Sequence, residues 1–258
     1  MVKRDDLIKF IYQTIGKDLL EKALLKDELA NGVQVKGNET VDKIALGVSL
    51  NEDFLQEAVT AKAQFCIFHH GFDTRVWKSR YPSYSQKRFQ IIFKNNLTIM
   101  GFHYGLDAHP RIGNNATIIK KLGAKIKDTL FEEWGYTATF STPQDINKLS
   151  KKCAELFQHD VFTVLSGPKK VKTIGVVSGG AKPDAVSLAE MEAKGVQLFV
   201  CGEPSESVPH KMKESNINYF AAGHYATEVF GIQELGKMIK SHFKNKLEVE
   251  FIDIPNTI

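Results

Sequence analysis

The sequence lacks the features that mark several classes of protein. Its three cysteines are odd in number, far apart and outside any Cys-x-x-Cys pair, so neither a disulfide framework nor a thiolate zinc site is indicated. No apolar run approaches the ~18 residues that a membrane span needs, and the chain opens on a charged amphipathic pattern rather than a signal peptide. We therefore expect a soluble, cytoplasmic protein with no membrane contact, in which Cys66 and Cys201 are small core residues.

An excess of either charge is also missing. The 34 basic and 30 acidic residues give a net charge of +4, which is too weak to indicate nucleic acid as a partner, although small anionic ligands remain open. Neither a Gly-x-Ser-x-Gly elbow nor a P-loop is present. With 258 residues, 43% of them hydrophobic and 25% charged, the chain has the balance of an ordinary globular protein and the length for two α/β lobes.

Strand and helix patterns alternate along the chain. Apolar residues at helical spacing from Leu7 to Leu29 predict one or two helices, and a strand at 44–50, a helix at 52–62 and a strand at 65–68 then form a βαβ unit. A similar unit covers 174–201, and Thr142 followed by Pro143 is typical of a helix start. We expect an α/β fold with mostly parallel sheets, in lobes at residues 1–125 and 126–258.

Two short stretches indicate that the second lobe is a partial duplication of the first. Each has an apolar strand that leads into His-Tyr-x-x-acid, once from Asn96 to Asp107 and once from Asn216 to Glu228. Chance similarity of such short stretches stays an alternative.

Imidazoles and carboxylates follow three of the predicted strands. Because ligands bind beyond the carboxyl ends of strands in α/β sheets, we expect these side chains to converge. Imidazole with carboxylate suits Zn, Fe, Mn or Ni, which the sequence does not distinguish, and so many donors favour two divalent ions over one tetrahedral ion. Any single histidine could instead be structural. The candidates are His69, His70, His103, Asp107, His224 and Glu228. The other histidines (His109, His159, His210 and His242) are interpreted as surface residues.

A loop of cations and aromatic residues follows the paired histidines. Such a mixture can hold phosphate and stack a base, and the alternative is a solvated loop or a subunit contact. Its candidate substrate contacts are Arg75, Trp77, Lys78 and Arg80. The Ser178–Gly180 loop could hold an anion but fits a tight turn better, and Glu203 could face the same crevice or be an exposed turn acid.

The chain resembles the Nif-three-like dinuclear metal-centre family, also labelled type-two GTP cyclohydrolase I homologues. The resemblance rests on Ile67-Phe-His-His70, His103-Tyr-Gly-Leu-Asp107, Gly113-Asn-Asn115, the Ser178-Gly-Gly loop, Cys201-Gly-Glu203 and Gly223-His-Tyr-Ala-Thr-Glu228. It implies two α/β lobes with the metal pair in the cleft between them, and a homohexamer. It assigns the ligands to His69, His70, Asp107, His224 and Glu228, and leaves His103 as a neighbour of the ligands.

Three functions are compatible with this interpretation. Two divalent metal ions can drive hydrolysis, so the leading hypothesis is a metal-dependent hydrolase or cyclohydrolase-like enzyme acting on a nucleotide or similar small anion. The alternatives are a protein that stores or delivers iron or another metal without catalysis, and a scaffold that metal stabilises.

Overall fold

The chain forms two compact units in the computed structural model, which describes residues 1–27, 29–73 and 79–256. The first unit comprises Met1–Leu106 and Gly231–Ile254, and the second comprises Asp107–Phe230 and Pro255–Ile258. The lobe boundary expected between residues 125 and 126 therefore lies inside the second unit.

The first unit is built from two N-terminal helices, a mixed sheet and the helices that connect its strands. A glycine with a φ of 93° separates the first two helices, which is why the long amphipathic stretch does not form one rod. In chain order the elements are β1 (Val2–Lys3), α1 (Arg4–Ile15), α2 (Lys17–Lys26), β2 (Asn31–Val35), β3 (Thr40–Val41), β4 (Lys43–Ser49), α3 (Glu52–Thr60), β5 (Phe65–His70), α4 (Ser83–Lys94), β6 (Thr98–Phe102) and α5 (Tyr104–Asp107), whose last residue already belongs to the second unit.

The main sheet of the first unit runs in the order β13-β4-β5-β6-β2, where β13 is Glu248–Phe251 near the C-terminus. All its pairings are parallel except that of β2 with β6. Strand β5 lies inside this sheet, and its residues from Phe65 to His69 are buried, as expected for a parallel strand covered on both faces. Because β4, β5 and β6 are parallel, their carboxyl ends meet at one edge, where Ser49 is in register with His70.

The second unit repeats part of this topology. Its elements are α6 (Asn114–Leu122), β7 (Lys125–Leu130), β8 (Gly135–Asp145), α7 (Ile146–Phe157), β9 (Phe162–Val164), β10 (Lys170–Val176), α8 (Ala185–Ala193), β11 (Leu198–Cys201), α9 (Val208–Glu214), β12 (Asn218–Ala221) and the start of α10 (His224–Phe243), which is followed by a 3-10 turn at Lys244–Lys246. The strands run in the order β7-β8-β10-β11-β12-β9, and the pairs β10-β11 and β11-β12 are parallel while the others are antiparallel.

The α/β class is confirmed, with mixed sheets. Both units contain three parallel strands joined by helices, and in both the third parallel strand carries an antiparallel partner on its far side, β2 on β6 and β9 on β12. The duplication stays a prediction.

The helix start expected at Thr142 and Pro143 is wrong. Strand β8 runs on through Asp145, and α7 begins at Ile146 with the Asp145 carboxylate accepting from the amides of Asn147 and Lys148. The Asp145 side chain satisfies amides that the first turn of a helix leaves without an intrahelical partner, which makes Asp145 rather than Thr142 the N-cap.

In the described ranges, no helix combines the length and the apolar character that a membrane crossing requires.

Candidate metal centre

Two histidines end strand β5 in the first unit. His69 is fully buried, and its Nδ1 lies 2.9 Å from the carbonyl oxygen of Phe102. Because a carbonyl oxygen can only accept, Nδ1 carries the proton and donates, which leaves the lone pair of a neutral ring on Nε2. His70 Nδ1 lies 3.1 Å from Ser49 Oγ, a hydroxyl that can donate or accept, so this contact orients the ring without fixing its tautomer. Histidines that bind metals typically have the other ring nitrogen held by such a partner.

A third imidazole joins this pair within the first unit. One ligand nitrogen from each of His69, His70 and His103 lies within 4.8 Å of the others, and the ring centroids of His69 and His103 are 5.2 Å apart. His103 was expected as a neighbour of the ligands, and the fold brings it close enough to be a candidate ligand itself.

Sequence reasoning missed the carboxylate that orients His103. Asp27 has a side chain only 2% exposed, and its Oδ1 lies 2.8 Å from His103 Nδ1. It also accepts hydrogen bonds from the amides of Leu29 and Tyr104 and from the Asn31 side chain. Burial opposes ionisation, but the bond to His103, its charge and the amide donors outweigh burial and lower the pKa of Asp27 below its ordinary value. Asp27 and His103 are 76 residues apart, so no local motif could have paired them.

In the second unit, His224 and Glu228 lie one turn apart at the start of α10. Their four-residue spacing puts them on one helix face, as the sequence predicts, with His224 Nε2 3.2 Å from Glu228 Oε1. The Glu228 side chain is 2% exposed. On the other side of the ring, His224 Nδ1 is 2.5 Å from Glu203 Oε1, and Glu203 forms an ion pair with Lys182. Glu203 is therefore a positioning residue for His224 rather than a free turn acid.

The charges around His224 favour its protonated form. Burial acts against the imidazolium, but the bonds and charges of Glu228 and Glu203 outweigh burial and raise the pKa of His224 to about 9. The hydrogen bonds and charges of Lys182 and His224 stabilise the ionised form of Glu203 and lower its pKa. A cation that binds His224 Nε2 at neutral pH must therefore displace a proton.

Asp107 is the remaining carboxylate of the predicted ligand set, and it also lies in the second unit. It is 7% exposed and accepts hydrogen bonds from Asn114 Nδ2 at 2.8 Å and from Ser178 Oγ at 2.6 Å. Burying a carboxylate is costly unless donors or cations compensate it, and these two donors offset part of that cost and hold the side chain in place.

The Ser178–Gly180 loop packs against these carboxylates. Gly179 has a φ of +66°, and a Cβ there would overlap a carboxylate oxygen of Glu228 and lie 3.2 Å from His224 Nε2. Its amide donates to Thr227 Oγ1 at 2.9 Å. The loop thus brings backbone next to His224 and Glu228, and only glycine allows that approach.

Some predicted residues are placed differently or lie outside the described ranges. Arg75, Trp77 and Lys78 fall within 74–78 and are not described, whereas Arg80 is exposed. His109 was expected at the surface, which is wrong: it is 4% exposed, and its Nδ1 accepts from the amides of Arg111 and Ile112, so it stabilises the turn before α6.

Comparison with known proteins gives consistent results. The family model described as Duf34/NIF3 (NGG1p interacting factor 3) matches residues 3–257. A GTP cyclohydrolase 1 type 2 homolog from Salmonella typhimurium is 35% identical over 245 residues, which is 93% of this chain and 95% of that protein. The solved structure of protein ybgI, described as of unknown function, has a TM-score of 0.87 at 30% identity and covers 100% of both chains. The structure of TTHA1606 from Thermus thermophilus has a TM-score of 0.85 at 26% identity, with 100% of both chains covered.

Proposed function

The chain belongs to the Duf34/NIF3 family, and from that premise we propose that it is a dinuclear metal protein that hydrolyses a nucleotide or a similar small anion. The proposed ligands of the two divalent ions are His69, His70, Asp107, His224 and Glu228. Related chains carry the name GTP cyclohydrolase 1 type 2 homolog, and on that ground we propose a cyclohydrolase-like reaction. We also propose that the chain forms a homo-oligomer, a hexamer by family resemblance.

One observation carries the metal proposal: the histidines of the set are held through Nδ1. A carbonyl oxygen holds His69, a hydroxyl contacts His70 and a carboxylate holds His224, each at Nδ1, which supports Nε2 of each ring as the proposed ligand atom. This arrangement raises ligand basicity and holds the ring in place before an ion arrives.

The donor set also fits the proposed ions. The candidate ligand groups among the described residues contain imidazoles and carboxylates and no cysteine, which suits Zn, Fe, Mn or Ni rather than Cu(I). When bound, the ions supply Lewis-acid chemistry, which stabilises charge on attacking and leaving oxygens during hydrolysis. Hydrogen bonds within the chain orient the side chains that would bind the ions. Asp27 orients His103, and Glu203 orients His224. Asn114 and Ser178 orient Asp107.

Elemental analysis combined with turnover assays tests this function. Protein purified without added metal is analysed for bound ions, and then assayed with a panel of nucleotides with and without prior chelation. We expect two ions per chain and turnover that is lost on chelation and restored by metal. Tight metal binding with no turnover on any nucleotide would favour metal delivery, and absence of both metal binding and saturable nucleotide binding would refute the proposal.

A further inference from the structure

A groove of about 1360 Å³ lies in the first unit beside His70. Its walls include residues of edge strand β2, the segment after β5, and one face of α4. His70 contributes to the lining, so the groove reaches one of the proposed metal ligands. Its lining combines aromatic and aliphatic side chains with polar and charged ones, Arg88 among them. Clefts that pair apolar surface with a few polar groups able to fix a ligand's orientation are common small-molecule sites.

Stacked aromatic rings form one side of the groove. The rings of Phe72 and Phe89 stack at 4.6 Å, those of Phe89 and Phe93 stack at 5.8 Å, and Tyr81 packs edge-on against Phe89 at 5.2 Å. The outer members remain accessible, with Phe93 65% exposed and Tyr81 53% exposed. Because these rings pack against each other, they lose little side-chain entropy when a planar ligand stacks on their flat apolar surface.

A half-buried arginine lies in the same wall. The Arg88 guanidinium is 4.7 Å from the centroid of the Tyr84 ring. Within the described ranges, no carboxylate forms an ion pair with Arg88. The negative charge of Glu52 acts on Arg88, but Glu52 forms its ion pair with Lys87. Burial lowers the pKa of Arg88, and the charges of Tyr84 and Glu52 offset that effect only in part. An anion in the groove would offset the remainder, and a planar guanidinium fits phosphate or carboxylate oxygens in pairs.

We propose that this groove binds a planar aromatic molecule that carries an anionic group, with Arg88 contacting the anion and the exposed faces of Phe93 and Tyr81 covering the ring. The inference rests on the proposed function, since it names the class of substrate that His70 and its metal would meet. It adds Arg88, Phe93 and Tyr81 to the proposed substrate contacts. These three residues lie outside the 74–78 segment.

Calorimetric titration with three probes tests the proposal. Guanosine 5′-monophosphate carries both ring and anion, guanosine carries the ring alone, and inorganic phosphate carries the anion alone. Wild type should bind the monophosphate more tightly than either part. Arg88→Gln should raise the Kd of the monophosphate about tenfold, the effect of one charge-assisted contact, and leave guanosine nearly unchanged.

Matched variants provide the controls. Lys87→Gln removes the same charge from the neighbouring position of α4, outside the groove lining, and should leave every Kd unchanged. Phe93→Ala should weaken the monophosphate and guanosine but not phosphate, whereas Leu25→Ala, which truncates another exposed apolar side chain, should have no effect.

Metal content measured on each protein separates this proposal from the proposed function. If wild type holds metal but binds none of the probes, or if Arg88→Gln and Lys87→Gln behave alike, the groove proposal is overturned while the metal site stands. If the probes bind as expected and wild type holds no metal, the groove proposal stands and the metal-dependent function fails.

Discussion

Replacing Gly179 by alanine should damage the candidate metal centre although no proposed ligand is itself replaced. The added methyl group would overlap the carboxylate of Glu228 and lie 3.2 Å from His224 Nε2. The loop cannot easily retreat, because the Gly179 amide donates to Thr227 and its carbonyl accepts from the Gly202 amide at 2.8 Å. Glu228 has little room to move, since its side chain is only 2% exposed.

Gly195 offers a matched control in the same unit. It has the same φ of +66°, but a Cβ there would meet nothing within 4 Å. Alanine in the left-handed region costs roughly 1–2 kcal/mol, so Gly195→Ala should lose about that much free energy of unfolding. Gly179→Ala carries the same backbone cost plus overpacking of roughly 1–3 kcal/mol, which gives about 2–5 kcal/mol in total.

Two measurements on the pair decide the matter. Urea unfolding in the presence of a chelator gives the free energies of unfolding, and competition with a metal indicator gives the Kd for zinc. We expect a zinc Kd at least about tenfold higher for Gly179→Ala and unchanged for Gly195→Ala. Equal stability losses together with equal zinc affinities would refute the role given to the Ser178–Gly180 loop.

Other predictions concern the ligands, the thiols and the assembly. His70→Ala and Glu228→Ala should each lower the metal content per chain while far-ultraviolet circular dichroism stays unchanged, whereas His210→Ala, an exposed histidine, should change neither; variants that keep two ions would contradict the ligand assignment. Burial raises the pKa of all three cysteine thiols to about 12, so at pH 8 they stay protonated, and Ellman's reagent should react with them only after denaturation. Rapid labelling of the native protein would contradict this burial of the thiols. Sedimentation should give a mass several times that of one chain, and a value near 28.9 kDa at micromolar concentration would exclude the proposed oligomer.

Much of the fold could be predicted because its signals are local. The strand predicted at 65–68 is β5, extended to His70, and the helix predicted at 52–62 is α3, which ends at Thr60. Hydrophobic periodicity and turn residues act within a few positions of the chain, so they survive in a single sequence. Local signals failed at Thr142, where pairing of β8 with β10 keeps the chain extended as far as Asp145 and overrides the helix-start pattern.

The candidate ligands could be proposed from the sequence, because each follows a predicted strand and each lies in a stretch that resembles the family; their assignment stays a prediction. The residues that hold them could not be proposed in this way. Glu203 bonds to His224 across 21 positions, Ser178 to Asp107 across 71 and Asp27 to His103 across 76. Nothing in a local pattern distinguishes such a carboxylate or hydroxyl from one in a solvated loop.

The sequence by itself therefore determined the α/β class, the family and the chemical types of the candidate ligands, since these depend on residue identity and short-range spacing. Only the tertiary structure decided that Asp27 lies against His103, that His109 is buried and that Arg88 lies half-buried beside stacked rings. The physical reason is that burial and hydrogen-bond partners arise when distant segments pack together, and the free energy of a buried charge depends on that packing rather than on its neighbours in the chain.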